Sequence, residues 1–164
     1  MNAVRWVWVF AVILLTACGF KLRGEQPLPA ELSVLRVQVA DTFSPLQHNL
    51  EQALARGGAR APAADEISAV LRIDGNQMTR WPLTVGSAGR VQEYSMRYEL
   101  SLQLISATGE VVMPKQSLQL ERSYQFATVR AQGTPGEEDV VREELERDMV
   151  QAILRRLQVT LARR

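Results

Sequence analysis

Cysteine and histidine are nearly absent: Cys18 and His48 are the only ones in 164 residues. A lone cysteine excludes an internal disulfide and a cysteine-based zinc site. Charge of one sign is missing too, with 19 basic against 18 acidic side chains. That balance argues against general nucleic-acid binding, which depends on a strong basic excess. No apolar run reaches the ~20 residues a membrane-crossing helix requires. Gly86 and Gly89 flank no strand-to-helix phosphate loop, and no repeat or low-complexity tract is present.

The longest apolar run, Trp6 to Leu15, follows a single positive charge at Arg5 and ends in Thr16-Ala17-Cys18. Its length suits the core of a secretory signal rather than a membrane span. Leu15-Thr16-Ala17-Cys18-Gly19 resembles the bacterial lipobox. The resemblance implies that residues 1–17 are a lipoprotein signal peptide and that Cys18 becomes the lipidated first residue. Several acyl chains on one residue anchor stably, since each buried methylene contributes about 0.8 kcal/mol. In such lipoproteins an aspartate after the cysteine retains the protein in the inner membrane. Gly19 stands there instead, which implies sorting to the outer membrane. Residues 18–31, with Leu28-Pro29 near their end, read as a lipidated tether, and 32–164 as a single domain.

Within that domain Leu35, Val37 and Val39 alternate with Arg36 and Gln38, a strand signal. Ser44-Pro45-Leu46-Gln47 carries the grammar of a helix start: serine as N-cap, proline first, glutamine closing a capping box. Leu46, Leu50, Ala53 and Leu54 line one face, and Gly57-Gly58 stops the helix. A second strand is expected over residues 66–79, with Ile67, Ala69, Leu71 and Ile73 inward and Gly75 at a bulge or bend. Trp81-Pro82 breaks the pattern, and residues 85–89 read as a hairpin connection. From Tyr94 to Leu104 apolar and polar residues alternate without a break, the mark of a sheet with one buried and one solvated face.

Thr108-Gly109-Glu110 signals a turn, and Met113-Pro114-Lys115 looks irregular. A last strand is expected over 117–126, with Leu118, Leu120, Tyr124 and Phe126 on one side. Arg122 shares that side, an odd residue for a core position. Thr134-Pro135-Gly136-Glu137 repeats the helix-start grammar, with acids in the first turn where the helix dipole favours them. Val141, Leu145, Met149, Ile153, Leu157 and Leu161 recur every four residues, and Arg155, Arg156, Arg163 and Arg164 load the end. The expected fold is α+β: two amphipathic helices packed on one face of a four-stranded, largely antiparallel sheet.

Catalytic chemistry is not visible. His48 lies on the polar side of the first helix between Gln47 and Asn49, with no nucleophile paired to it. Glu137, Glu138 and Asp139 are explained by their place in a helix first turn. No enzyme, cofactor or metal site is expected.

Cys18-Gly19-Phe20-Lys21-Leu22-Arg23-Gly24, Glu93-Tyr94-Ser95-Met96, Arg122-Ser123-Tyr124 and Leu154-Arg155-Arg156-Leu157 occur in the order and spacing of one family. The chain resembles the LPS-assembly lipoprotein LptE family, once called rare lipoprotein B. The resemblance implies a Gram-negative outer-membrane lipoprotein that plugs the LptD β-barrel, helps it assemble, and helps deliver lipopolysaccharide to the outer leaflet. In the family, basic residues near the strand 2–3 hairpin and before the last helix are implicated in lipopolysaccharide contact. Here the regional candidates are Arg90 and Arg130, with Lys115 in the other exposed turn; Ser87 and Thr134 are not basic. The alternatives are a stand-alone periplasm-facing lipoprotein serving another ligand or complex, and a lipid-anchored hydrolase.

Overall fold

The computed structural model describes residues 32–41, 44–87, 89–125 and 136–162. In chain order they form β1 (Leu35–Val39), α1 (Leu46–Arg56), β2 (Ala69–Val85), β3 (Val91–Ile105), β4 (Val111–Gln125) and α2 (Glu137–Leu161). The four strands make one sheet in the order β1-β2-β3-β4. β1 runs parallel to β2, and the other pairings are antiparallel. The parallel pair follows from its connection, because α1 carries the chain back as a crossover.

One core joins sheet and helices. Leu35, Val37 and Val39 stand beside Ala69, Leu71 and Ile73, and the last two pair with Leu104 and Leu102. Leu46, Leu50, Ala53 and Leu54 of α1 and Leu145, Met149, Ile153 and Leu157 of α2 cover these rows. Each fully buried Leu or Ile side chain contributes about 1.5–3 kcal/mol. A four-residue repeat overshoots the helical turn by about 40° per step, so the apolar row winds around α2. That winding suits a helix packed against β4, β3 and α1 together. Leu161, at the end of the row, is only partly buried.

The sheet has two distinct ends. At the near end lie Leu32, the β3–β4 turn and the last turn of α2, where the Thr160 hydroxyl is 3.4 Å from the Met113 sulfur. At the far end lie the β2–β3 hairpin, the end of β4 and the start of α2.

Gly75 does mark a bulge. Asp74 pairs with Ser101 and Gln77 with Glu99, so Gly75 and Asn76 together oppose Leu100. Gly75 has φ 64°, the left-handed conformation that glycine adopts without steric cost. The extra residue shifts the alternation of β2. Beyond it, Asn76, Met78 and Arg80 take the helix-facing side and Gln77, Thr79 and Trp81 the other.

Several sequence expectations need correction. β2 does not stop at Thr79; it continues through Trp81-Pro82, with Pro82 opposite Tyr94. β1 accompanies β2 only as far as Ile73, so beyond that point β2 has one partner and a missing proline N–H breaks no ladder. The same reason lets β4 start at Val111 and run through Pro114, because among the described residues β4 has only β3 beside it. Ile67 is not inward but 81 % exposed; it precedes the first residue that β1 pairs. The N-cap of α1 is Pro45, one residue later than expected, although the Ser44 hydroxyl does accept the Leu46 N–H at 3.2 Å. Gln47 does not close a box; its amide donates to Glu51 at 3.0 Å. α2 begins after Gly136, whose N–H meets the Asp139 carboxylate at 3.3 Å. Its last described turn holds no basic residue. Cys18, Phe126, Thr134, Pro135, Arg163 and Arg164 lie outside the described residues.

The connection from α1 to β2 is held by a two-pronged pair. Arg60 donates to Glu66 at 2.7 and 2.5 Å, and the Ala63 N–H adds a third bond at 3.0 Å. The Arg60 hydrogen bonds first, then the Ala63 amide, hold the Glu66 carboxyl at about 2 instead of 4.5. A carboxylate depressed in the folded state stabilises it above the unfolded pKa, and that contribution fades as pH falls from 4.5 toward 2. Carbon-detected NMR titration of Glu66 is therefore expected to show a midpoint near 2. In Arg60→Ala the midpoint should move back toward 4.5; an unshifted carboxyl in the parent contradicts the pairing.

Candidate functional site

The far end of the sheet gathers charged and aromatic side chains on its helix-facing side. The bulge at Gly75 turns Arg80 toward α2, where its guanidinium pairs with Glu138. Glu138 also accepts from Tyr124 at 3.1 Å and from Arg142, one turn on, at 3.2 Å. Arg80 lies 4.6 Å above the Tyr94 ring, and Tyr94 stacks on Tyr124 with centroids 5.9 Å apart. Arg142 reaches the Met78 sulfur at 3.9 Å. One carboxylate thus gathers two guanidinium groups and a phenol over a stacked aromatic pair.

Arg122 explains its odd position here. It points to the helix side and pairs with Glu144 and with Asp148 of α2. The charge that the β4 pattern could not place docks the edge strand onto the helix. Burial pushes the Tyr124 phenol up from its ordinary range, and the Arg80 hydrogen bond pulls the other way. Deeper in, Tyr98 donates to Asn76 at 2.5 Å, and Asn76 donates to Ser44 at 2.7 Å. Burial first, then the charge of Glu146, pushes the Tyr98 phenol up. Burial raises Glu146 in turn.

The opposite face of the sheet is a polar plane that neither helix covers. Ser95 donates to Glu121 at 2.8 Å, Arg97 reaches the same carboxylate at 3.2 Å, and Gln77 donates to Glu99 at 2.8 Å. Arg97 also stacks 4.7 Å above the Trp81 ring. Ser95 is only 2 % exposed among these neighbours although it lies on the solvent side. The Ser95 hydroxyl first, and Arg97 after it, hold the Glu121 carboxyl below the ordinary range.

The candidate ligand residues do not form one group. Arg90 is exposed at the hairpin, its carbonyl accepting the Gly86 N–H at 2.9 Å. Arg130 lies outside the described residues, although Gln125 and Gly136 on either side of its segment both belong to the far end. Lys115 is not in a turn. It lies on β4, 3.0 Å from Asp74 across the polar plane, about a dozen residues of β3 from Arg90, or roughly 40 Å at strand rise. Lys115 is therefore separate from Arg90 at the hairpin.

The acids of the α2 first turn have structural work, Asp139 at the cap and Glu138 at the arginine pair. His48 is exposed on α1, with its ring nitrogen 2.7 Å from the Gln52 amide. Among the described residues no three His, Cys, Asp or Glu side chains are grouped to hold a metal ion. No described helix is long and apolar enough to cross a membrane.

Residues 32–157 match the protein-family model described as "LptE: Lipopolysaccharide-assembly". The LPS-assembly lipoprotein LptE of Pectobacterium atrosepticum is 28% identical over 149 residues, covering 90% of this chain and 80% of that protein. The namesake from Photorhabdus laumondii is 24% identical with the same coverages. Among solved structures, lipoprotein B from Nitrosomonas europaea superposes with TM-score 0.66 at 25% identity, over 84% of this chain and 88% of that one. Rare lipoprotein B from Shewanella oneidensis, 19% identical, shares the fold with TM-score 0.58, over 79% of this chain and 93% of that one. The family match covers the whole described domain but its last few residues, and on that ground the chain belongs to the lipopolysaccharide-assembly LptE family.

Proposed function

We propose that this chain is a lipid-anchored lipoprotein of the Gram-negative envelope that serves lipopolysaccharide assembly as the plug and scaffold subunit of an LptD-type outer-membrane β-barrel. The observation that carries this reading is the family match across residues 32–157. Cys18 holds the lipid, and the domain acts by binding rather than by catalysis.

The polar plane supports the barrel-plug reading. A porin-type lumen is polar and wet, and a surface that fits it should satisfy its own charges before docking. Gln77–Glu99, Arg97–Glu121 and Lys115–Asp74 do that with neighbours on the same plane. Exposed pairs of this kind contribute little to stability, so they are free to exchange partners with a lumen wall.

Lipopolysaccharide carries anionic groups, for which a forked guanidinium is a good receptor. Arg90 and Arg130 are the proposed contacts, with Lys115 set apart from them by its place on β4. Replacing Arg90 and Arg130 together by glutamate is expected to weaken lipopolysaccharide binding about tenfold or more with circular dichroism unchanged. Equal binding by a folded double variant removes both residues from the site.

The role as a whole is tested by depletion. Affinity capture of the native lipoprotein from outer membranes should bring down a very large β-barrel protein, and depletion should lower surface lipopolysaccharide. A barrel-free pool with normal surface lipopolysaccharide after depletion contradicts the proposal and favours a stand-alone envelope lipoprotein.

A further inference from the structure

Beside β1 the sheet ends in an edge that is only half covered. The Leu35 N–H donates to the Arg60 carbonyl at 3.1 Å, and the Arg60 N–H donates to the Ser33 carbonyl at 2.8 Å. This short parallel bridge occupies the first part of β1 and goes no further. The Ala40 N–H turns the other way, to Ile73 at 3.0 Å. Strand alternation therefore aims the N–H and C=O of Val37 and the N–H of Val39 outward, on the side of the Leu35 N–H. No described residue meets them there.

A pocket of about 290 Å³ lies beside this open stretch, between β1, α1 and the segment that follows α1. Leu35, Val37, Leu54 and Ala55 give it apolar walls, with Glu51 and Arg60 among its polar ones. An uncovered edge next to an apolar pocket is the geometry of β-strand addition, in which main-chain bonds hold a strand and the pocket takes alternate side chains.

We propose that the occupant is this chain's own Phe20–Arg23 segment, added as a short strand along Val37–Val39. Phe20 and Leu22 alternate with Lys21 and Arg23. Added in the plane of the sheet, such a segment sends its two apolar side chains to the helix side, over the pocket, and its two basic ones to solvent. The connection is long enough. The chain enters the domain at Leu32, buried next to this same edge. The nine steps from Arg23 to Leu32 span up to roughly 30 Å extended, against about 13 Å for the length of β1. Gly24, Pro27 and Pro29 supply the residues that end a strand and reverse a chain.

A docked Phe20 would also set where the domain hangs. Where Cys18 carries the lipid, only Gly19 stands between the anchor and the docked strand, two Cα steps or about 7 Å. The β1–α1 edge is then the part of the domain held against the bilayer.

Disulfide trapping in the mature lipoprotein, purified from membranes in detergent, tests the docking. Cys18 is the only native cysteine, so Leu22→Cys combined with Ala55→Cys supplies one defined pair. Leu22→Cys with Val159→Cys, an exposed position on α2, is the control. The docked strand predicts an intramolecular bond at Ala55→Cys at least tenfold more abundant than in the control. It also predicts that Phe20→Ser with Leu22→Ser raises hydrogen exchange at Val37 and Val39 about tenfold while β3 amides keep their protection. No preference over the control, a bond between two chains, unchanged exchange at β1, or a rise that includes β3 each overturns the proposal.

Discussion

Replacing Leu102 by alanine is expected to lower the unfolding free energy by about 2–5 kcal/mol, the range for emptying a buried leucine site. Leu102 is fully buried and pairs with Ile73 of β2 on one side and Gln116 of β4 on the other. Fully buried Ile73, Leu104 and Met113 share its core, so a cavity there has neighbours on both sides and little freedom to close. Domains of this size have a total stability of about 5–15 kcal/mol, and this single change would remove a large part of it. Urea unfolding is the measurement: the midpoint falls while the slope stays constant. A midpoint within error of the parent contradicts the placement of Leu102 at the centre.

Gly75→Val is the second large effect, expected at about 2 kcal/mol by the same assay. A left-handed residue costs a side-chain-bearing amino acid about 1–2 kcal/mol, and a β-branched one sits there worst. No atom stands within 4 Å of the space a Cβ would take, so the cost comes from backbone conformation and not from a clash. Deleting Gly75 should be the milder change. Without the bulge, Asn76 alone opposes Leu100, and Met78 and Arg80 keep the helix-facing side. A valine variant as stable as the parent, or a deletion costlier than the valine, contradicts the bulge assigned here.

The same bulge marks where the sequence is legible and where it is not. Most of β3 is legible because apolar and polar residues alternate from Tyr94 to Leu104 without a change of phase, although its pairings with β2 and β4 both contain register shifts. The first half of β2 could be read for the same reason. Past Gly75 the alternation changes phase, and Pro82 then suggests a break that an edge position makes harmless. Arg80 falls just past the expected end of that strand at residue 79, and the fold turns it onto Glu138, which is 58 residues away in sequence. No local pattern encodes a contact of that range. Arg122 was the one visible signal, a cation in phase with Leu118 and Leu120; its acidic partners lie on α2, one helix turn apart.

Of the ligand candidates, Arg90 was placed correctly at the hairpin because glycines around it announce a turn. Met113-Pro114-Lys115 imitates a loop in sequence, yet Lys115 lies on β4. The parallel pairing of β1 was equally hidden, since alternation specifies a face and not a direction.

The proposed plug role places the uncovered polar plane of the sheet against the inner wall of an outer-membrane barrel. Gln119, exposed on β4 and level with Glu99, can be replaced by a photo-crosslinking amino acid in growing cells, with exposed Gln151 of α2 as the comparison position. Illumination is expected to join the Gln119 position to a very large β-barrel polypeptide. Adducts only with soluble periplasmic proteins, in cells whose surface lipopolysaccharide depends on this chain, would contradict it.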